Sequence, residues 1–574
     1  MRFSLDWIRE FVKVDEAPAE LARRLTSAGL AVETIEPQPD GDVVLDLEIF
    51  PNRPDCMSIY GVAREVAAAT GRSLCPFPGA QEETDTAPPA AALARVSIDR
   101  ADLCGRYDAR VMTGVRVGPS PDWMVRRLAT VGLRSVNNIV DATNYVLWEF
   151  GHPLHAFDLE TLEGREIRVR LAQRAETLTT LDGVSRTLDE SMLVIADAKR
   201  AVALAGVMGG APTMVTGATV HLLLESAHFD PVSVRRTARK LGLSTDASYR
   251  FERGADPEAT VIALNRVASL IRRAAGGSIH PGVVEARPAP PAARRLRLRS
   301  ARVARLLGVA VEPARIREAL EALHFGAAPR PSPGPADASG APGASPDLEF
   351  EVDVPSHRQD IEREVDLIEE VARRIGYDSI PERLPDIPGS GGIERPGHRR
   401  EGAIRATLLA GGFSEACTTT FASSALDWGL RQRLDPAEPA IEPIGLVNPI
   451  AIDLEILRTT LLGGLLASVA RNFNHGTRDV RLFEIGRVFR RGEAPPPSRE
   501  ERKHPSAGPV EESVALGLAL AGNVHPAHFT ESPREASFYD LKGVVEALLD
   551  DLGLAATLRP LPSSEALDPD RSAL

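Results

Sequence analysis

Between Asn137 and Asp158 the chain reads NNIVDATNYVLWEFGHPLHAFD, which sets Asp141, Thr143, Asn144, His152, His155 and Asp158 among apolar residues in one short run. Each is able to hydrogen-bond a ligand. An unpaired polar group inside a fold costs roughly 1–3 kcal/mol, so this density reads as the lining of a pocket rather than plain core. A second polar block, LGLSTDASYRFERGADP, runs from Leu241 to Pro257. Hydrophobic, strand-like sequence separates the two, and they read as opposite walls of one site.

A third cluster is acidic. PSHRQDIEREVDLIEEVARRI, Pro355 to Ile375, places Ile361, Val365, Ile368, Ala372 and Ile375 on one helical face. Asp366, Glu369 and Glu370 share a flank at helical spacing, and Asp360 precedes the first apolar residue as a candidate N-cap. Two readings stand at this point. The four carboxylates are a site for a hard divalent cation such as Mg2+, which prefers carboxylate oxygens. Alternatively, Asp360 only caps while Glu369 and Glu370 pair with Arg373 and Arg374.

The elements that must position these residues follow from hydrophobic period. Residues 1–36 read as two helices, the second closed by Gly29; Val43–Ile49 alternates like a strand, PNRPDC is a turn, and Ile59–Thr70 is helical. The Pro- and Ala-rich stretch 80–93 reads as a linker. From there to about Glu285, EIRVRL, MLVIAD and VHLLLESA read as strands and Val232–Leu241 as a helix, which predicts an α+β domain on a largely antiparallel sheet. Helices over Ala301–Leu307 and Ile316–Leu323 alternate with short strands, and Gly326–Asp347 is expected to be a disordered extension of a hairpin loop. A last region opens near Arg395 with a helix through Leu409. The predicted domains are 1–80, 94–286, 293–385 and 395–574.

With 43% hydrophobic residues, 26% charged and a formal net charge of −13, the 574-residue chain has core enough for several domains. The charge argues against a protein that coats nucleic acid by itself. It leaves room for a local basic face, and Arg235, Arg236, Arg239 and Lys240 form one, followed by Arg250 and Arg253; a solvated helix surface is the plainer reading. No apolar run of about 18 residues predicts a membrane span, and the first residues form an amphipathic segment rather than a signal peptide. Four scattered cysteines without a C-x-x-C pair fit a reducing, cytoplasmic setting.

The blocks PNRPDCMSIYGVARE, VDATNYVLWEFGHPLHAFD, LAGVMGG, LLLESAHF, LSTDASYRFERGADP, DIEREVDLIEEVARRIGYDSIPE and FYDLKGVVEALL, in this order, resemble the β subunit of bacterial phenylalanyl-tRNA synthetase over nearly the whole chain. The resemblance implies an α+β multidomain protein: an editing domain of B3/B4 type, a small winged-helix-like domain, and an incomplete antiparallel module of the class II synthetase kind without its ATP-binding arginines. It implies an (αβ)2 tetramer that joins phenylalanine to tRNA(Phe) with ATP and Mg2+. The synthetic site then lies on the α subunit, with no catalytic role in aminoacylation here. It implies an editing pocket at Thr143, Asn144, His155, Gly206, Gly209, Glu225, Thr245 and Ala247, which hydrolyses mischarged tyrosyl-tRNA. Such a site is needed because a hydrophobic pocket rejects one added hydroxyl only about a hundredfold. Glu225, directly after three leucines, would accept from the tyrosine hydroxyl; Gly206 and Gly209 would let backbone approach the substrate; His155 and Asn144 would position the ester and water. No general base is assigned, the tRNA's terminal hydroxyl being an alternative. The resemblance also carries Mg2+, shared with the α subunit, to Asp360, Asp366, Glu369 and Glu370.

Each residue has a plainer reading: His155 as a core histidine, Thr245 as a cap, Glu225 as an ion-pair partner of Arg250 or Arg253. The chain departs from the family pattern in lacking an oligonucleotide-binding domain after the first helical segment and an anticodon-binding domain at its end, so poor order is expected near Leu574. A freestanding aminoacyl-tRNA deacylase and a non-catalytic scaffold are the competing functions.

Overall fold

The run HLLLESAHF has three successive leucines, as a strand buried on both faces requires. It forms the strand His221–Phe229, flanked antiparallel by Cys104–Thr113 on one side and Leu154–Asp158 on the other. Ser278–Ile279 and Val284–Ala286 pair along the far edge of Cys104–Thr113. One face of this sheet, with Met112, Ala156, Leu222 and Leu224, packs in a cluster with the helices Asn138–Phe150 and Thr260–Ala275. The opposite face, with Tyr107, Phe157, Leu223 and Ala227, shares its cluster with a second sheet. That sheet runs Met208–Gly209, Ala201–Leu204, Leu193–Ala196, Glu166–Leu171, Arg95–Ile98, and only its last pair is parallel.

The computed structural model describes residues 1–80, 82–84, 86–288, 293–331, 348–382, 384, 396–427, 443–492, 510–525 and 528–558. They fall into two compact units, Met1–Leu384 and Pro385–Leu574. The expected disorder over 332–347 and at Leu574 lies outside the described residues. Gly326–Pro331, expected to be part of that loop, is instead a strand paired with Leu348–Asp353. The mixed α/β, multidomain character expected from the sequence is present.

The two helices expected within residues 1–36 form, but two strands that were not expected flank them. The start of the chain is a short strand, Arg2–Ser4, then one helix of five residues, Leu5–Arg9; after the helix Pro18–Ser27 the segment Val32–Pro37 is a strand. Both strands pair with Val43–Leu47, on either side of the helices, and Trp7 and Ile8 keep their helical spacing within Leu5–Arg9. Trp7 packs on Tyr145, ring centroids 4.5 Å apart, so residues 1–80 share one core with the helix Asn138–Phe150. The stretch after residue 80 is also tied down, Glu83 to Arg110 at 3.1 Å and Glu82 to Arg272.

A further three-stranded sheet, Arg295–Arg299, Leu348–Asp353 and Gly326–Pro331, carries the helices Ser300–Leu307, Pro313–Glu321 and Glu364–Ile375. A chain of buried ion pairs fastens it to the N-terminal residues. Arg53 bonds Asp55 and Glu65 (2.9 and 2.6 Å), Glu65 and Glu370 each bond Arg373 (2.6 Å), and Arg358 joins Glu370 to Asp360 (2.7 and 2.8 Å).

The second unit is built on a long hairpin, Val480–Arg491 with Val510–Ala521, with Ser414–Glu415 added in parallel. A small sheet orders Phe421–Ala422, Ile456–Leu457 and Ile444–Gly445. The helices Pro396–Ala410, Leu462–Asn474 and Phe538–Asp551 complete it. No helix among the described residues is long and apolar enough to cross a membrane, and all four cysteines are free thiols.

Removing one member of a buried ion pair strands the other charge, at a typical cost of about 3–5 kcal/mol. Arg373→Ala is therefore expected to lower the unfolding free energy of the first unit by that order, read as a lower urea midpoint; an unchanged midpoint would show that the ion-pair chain contributes nothing.

Candidate active site between two sheets

Glu225 and His155 are direct partners in the antiparallel register of His221–Phe229 with Leu154–Asp158. Side chains so paired stand on the same face with Cβ atoms about 4.5–5.5 Å apart. Here that face looks across to the second sheet. A cavity of about 300 Å³ opens between the sheets, and Asn144, His155, Gly206, Gly209, Glu225, Thr245 and Ala247 all line it. Leu147, Leu154, Leu181, Ile195, Leu204 and Phe251 supply apolar wall. The two polar blocks of the sequence thus meet: the Asn138–Phe150 helix and the following strand on one side, the segment around Thr245 on the other.

Thr143 is the exception. Its hydroxyl donates back to the Val140 carbonyl at 2.7 Å, a turn earlier in its own helix, and it does not line the cavity. The neighbouring polar residues are structural too. Asp141 accepts from the Ser120 and Ser135 hydroxyls and the Val136 N–H, and Asp158 accepts from Thr219 at 2.6 Å.

Burial pushes the Glu225 carboxyl up to about 8, although the neighbouring Tyr107 phenol pulls it the other way. Among the described residues no cation pairs with it: Arg250 pairs with Asp246 at 3.3 Å and lies over the Trp148 ring, while Arg253 pairs with Glu252 at 2.6 Å. Glu225 Oε2 is left without a hydrogen-bond partner. The His155 ring reaches the cavity yet sits deep enough that burial lowers its pKa to about 4, so the imidazole is neutral at pH 7. Its Nε2 is likewise unpartnered.

The glycines have different reasons. A Cβ at Gly209 would come within 2.5 Å of His155 Cε1, so this glycine makes room for the imidazole itself. Gly206 has φ +69°, and a Cβ there would press on Val234 at 2.9 Å. Thr245 caps the helix Asp246–Phe251, accepting from the Ser248 N–H at 3.0 Å, and donates to the Val207 carbonyl at 2.8 Å. Its hydroxyl holds the two walls together. Asn144, half-buried, turns to the cavity. Sequence reasoning missed Tyr107, which meets Glu225 only through the strand register, and the apolar wall residues.

The acidic helix does not gather its four carboxylates. It begins at Glu364, and its N-cap is Arg363 rather than Asp360. Arg358 bonds both Asp360 (2.9 and 2.8 Å) and Glu370 (2.7 and 2.8 Å). Burial would raise the Glu370 pKa, but Arg358 and Arg373 outweigh it and hold it at about 2. Asp366 accepts the N–H groups of Glu362 and Arg363, and Glu369 is exposed. As arranged, the set does not fit a bound Mg2+, because guanidinium already neutralises its buried members. Among the described residues, Asp55, Cys56 and Glu65 are the one group with ligand atoms within 4.8 Å of one another, and Arg53 bonds all three.

Three family models match the chain: the B3/4 domain over residues 103–276, the tRNA synthetase B5 domain over 296–377, and the phenylalanyl tRNA synthetase beta chain CLM domain over 380–574. The phenylalanine–tRNA ligase beta subunit of Geobacter sulfurreducens is 41% identical over 510 residues, 89% of this chain and 60% of that protein. Those of Anaeromyxobacter dehalogenans and Moorella thermoacetica are each 42% identical, covering 90% and 89% of this chain and 61% and 59% of theirs. The chain spans about three fifths of the length of these relatives.

The raised Glu225 pKa sets a pH dependence of stability. Below about pH 4.5, the ordinary carboxyl value, folded and unfolded states both hold the proton. From there to about 8 only the folded state keeps it, so stability falls by about 1.4 kcal/mol per pH unit from this group. Glu225→Gln removes that slope. The variant should gain on the parent chain between pH 5 and 8 in paired urea titrations; a constant difference across that range would overturn the assignment.

Proposed function

We propose that this chain, a homologue of phenylalanine–tRNA ligase β subunits with B3/4, B5 and CLM domains in one polypeptide, hydrolyses the ester of tyrosine wrongly attached to tRNA(Phe). The observation that carries the reading is the Glu225–His155 pair, each with a free polar atom, in a cavity otherwise walled by apolar side chains. The apolar walls suit an aromatic ring. At neutral pH the protonated Glu225 carboxyl still accepts through its carbonyl oxygen, so it receives the phenol of tyrosine. Phenylalanine offers no hydroxyl and leaves that oxygen buried and unsatisfied, which disfavours it by roughly 1–3 kcal/mol.

Hydrolysis adds water to the ester carbonyl, breaks the acyl–oxygen bond and returns the proton to the terminal ribose hydroxyl of the tRNA. Neutral His155 Nε2 and the Asn144 amide face the space where ester and water would sit. Their part is to orient both; His155 takes or gives a hydrogen bond without carrying charge.

Attachment of phenylalanine with ATP and Mg2+ belongs, in this reading, to a separate α subunit in an (αβ)2 assembly. Val447, Ile450, Ile452 and Phe529 of the second unit are 84–95% exposed, and Tyr539 is 77% exposed.

The test is release of tyrosine and phenylalanine from the two charged forms of tRNA(Phe), with and without the α subunit. Tyrosyl ester should be cleaved and phenylalanyl ester spared. Glu225→Ala should reduce that preference by about 10- to 100-fold, and His155→Ala should slow cleavage of both. Cleavage without α would make the chain a deacylase in its own right. No cleavage even with α would overturn the reading and leave a scaffold.

A further inference from the structure

The helix Pro231–Leu241 buries Ser233, Val234, Thr237 and Ala238 and leaves one outer stripe, Val232, Arg235, Arg236, Arg239 and Lys240, exposed. Helical spacing brings Arg235 beside Arg239 and Arg236 beside Lys240, two like-charge contacts that oppose the helix. Other helices of the chain set exposed cations a turn away from an acid. Arg23 and Arg24 meet Glu20, Arg317 meets Glu321, and Lys542 meets Glu546. On this helix only Lys240 has such relief, from Asp189. Among the described residues Arg235, Arg236 and Arg239 pair with no acid, in a chain of net charge −13.

The helix backs the cavity. A Cβ at Gly206, in the cavity wall, would meet Val234 of its inner face. Beyond its C-cap Gly242 the chain leads directly into Thr245, Asp246 and Ala247, which line the same cavity. Guanidinium groups bind phosphate oxygens through paired N–H donors.

We propose that Arg235, Arg236 and Arg239 hold the phosphate backbone of the tRNA acceptor end while its aminoacyl ester enters the cavity. This rests on the hydrolytic reading for what occupies the cavity, and on the charge pattern of the helix for the route to it. The three arginines are positioning residues and do not touch the reacting atoms.

The experiment measures binding of a fluorescein-labelled, uncharged RNA hairpin of acceptor-stem length, ending in single-stranded CCA, to the full 574-residue chain across a salt series. R235Q/R236Q/R239Q should weaken binding about tenfold or more near 0.1 M salt and flatten the log–log salt dependence by about 2 to 3. A control with the same charge change at the exposed Arg72, Arg126 and Arg134 should bind as the parent does. Matched thermal melts would show that the fold is intact, and the rate of tyrosyl-ester cleavage at saturating RNA should not change. Unaltered affinity of the triple variant, an equal loss in the control, or no binding by the parent chain would each overturn the proposal. Should the parent bind the hairpin but cleave no ester, the hydrolytic reading falls, and the affinities still decide the arginine face.

Discussion

The arrangement turns on a carboxylic acid kept inside a two-sheet sandwich with no cation among the described residues to neutralise it. Glu225 occupies a strand position whose neighbours Leu222, Leu223 and Leu224 are fully buried. Successive side chains of a strand alternate faces, so a slip of one residue in register would send Glu225 into the helix layer and a leucine into the cavity. The apolar run guards against that slip, since both faces need their leucines. The arginines of the second wall are drawn off, Arg250 to Asp246 and the Met57 carbonyl, Arg253 to Glu252 and the Tyr249 ring. A cation at Glu225 would hold it ionised and occupied. Without one, it remains a polar group with capacity to spare for a ligand.

How much of this could be read from the letters depended on distance along the chain. The density of polar residues from Asn137 to Asp158 was visible because it is local, and so was the second wall around Thr245. What each residue does was not. Asp141, Thr143 and Asp158 share the same stretch as Asn144 and His155, yet they turn their polar atoms to the backbone or to nearby hydroxyls. Which way a side chain faces in a helix beside a strand is decided by packing against Leu222, Leu224 and Ile279, which lie far away in sequence. Tyr107 was invisible for the same reason, since it meets Glu225 only through strand pairing.

The acidic helix shows the limit most sharply. Spacing of three and four residues raised the plainer alternative of pairing within the helix, and one such pair forms, Glu370 with Arg373 at a spacing of three rather than the expected four. It could not show that Glu65, 308 residues from Arg373, enters the same buried pair. Nor could it show that Arg358 bridges Asp360 and Glu370. Periodicity reports which side chains share a face and says nothing of what faces them. The N-terminal strand was missed through a related conflict: Trp7, Ile8 and Phe11 carry helical spacing, while three residues before them are claimed by Val43–Leu47.

Arginine is put to two opposed uses in this chain. Arg53, Arg358 and Arg373 are buried and spent on carboxylates, so their charge is invisible from outside. Such pairs gain little net stability over apolar packing, because removing both partners from water is expensive. What they do provide is directional matching between the N-terminal segment and the helix Glu364–Ile375, which apolar contacts alone would leave free to slide. The arginines that are not spent this way shape the outer field. A net negative chain repels a polyanion at long range, but screening confines that repulsion to about 8–10 Å at ordinary salt. Within that distance the sign is set by local groups. An acidic protein can therefore still present a cationic approach, provided the cations lack acid neighbours, as on the outer stripe of Pro231–Leu241.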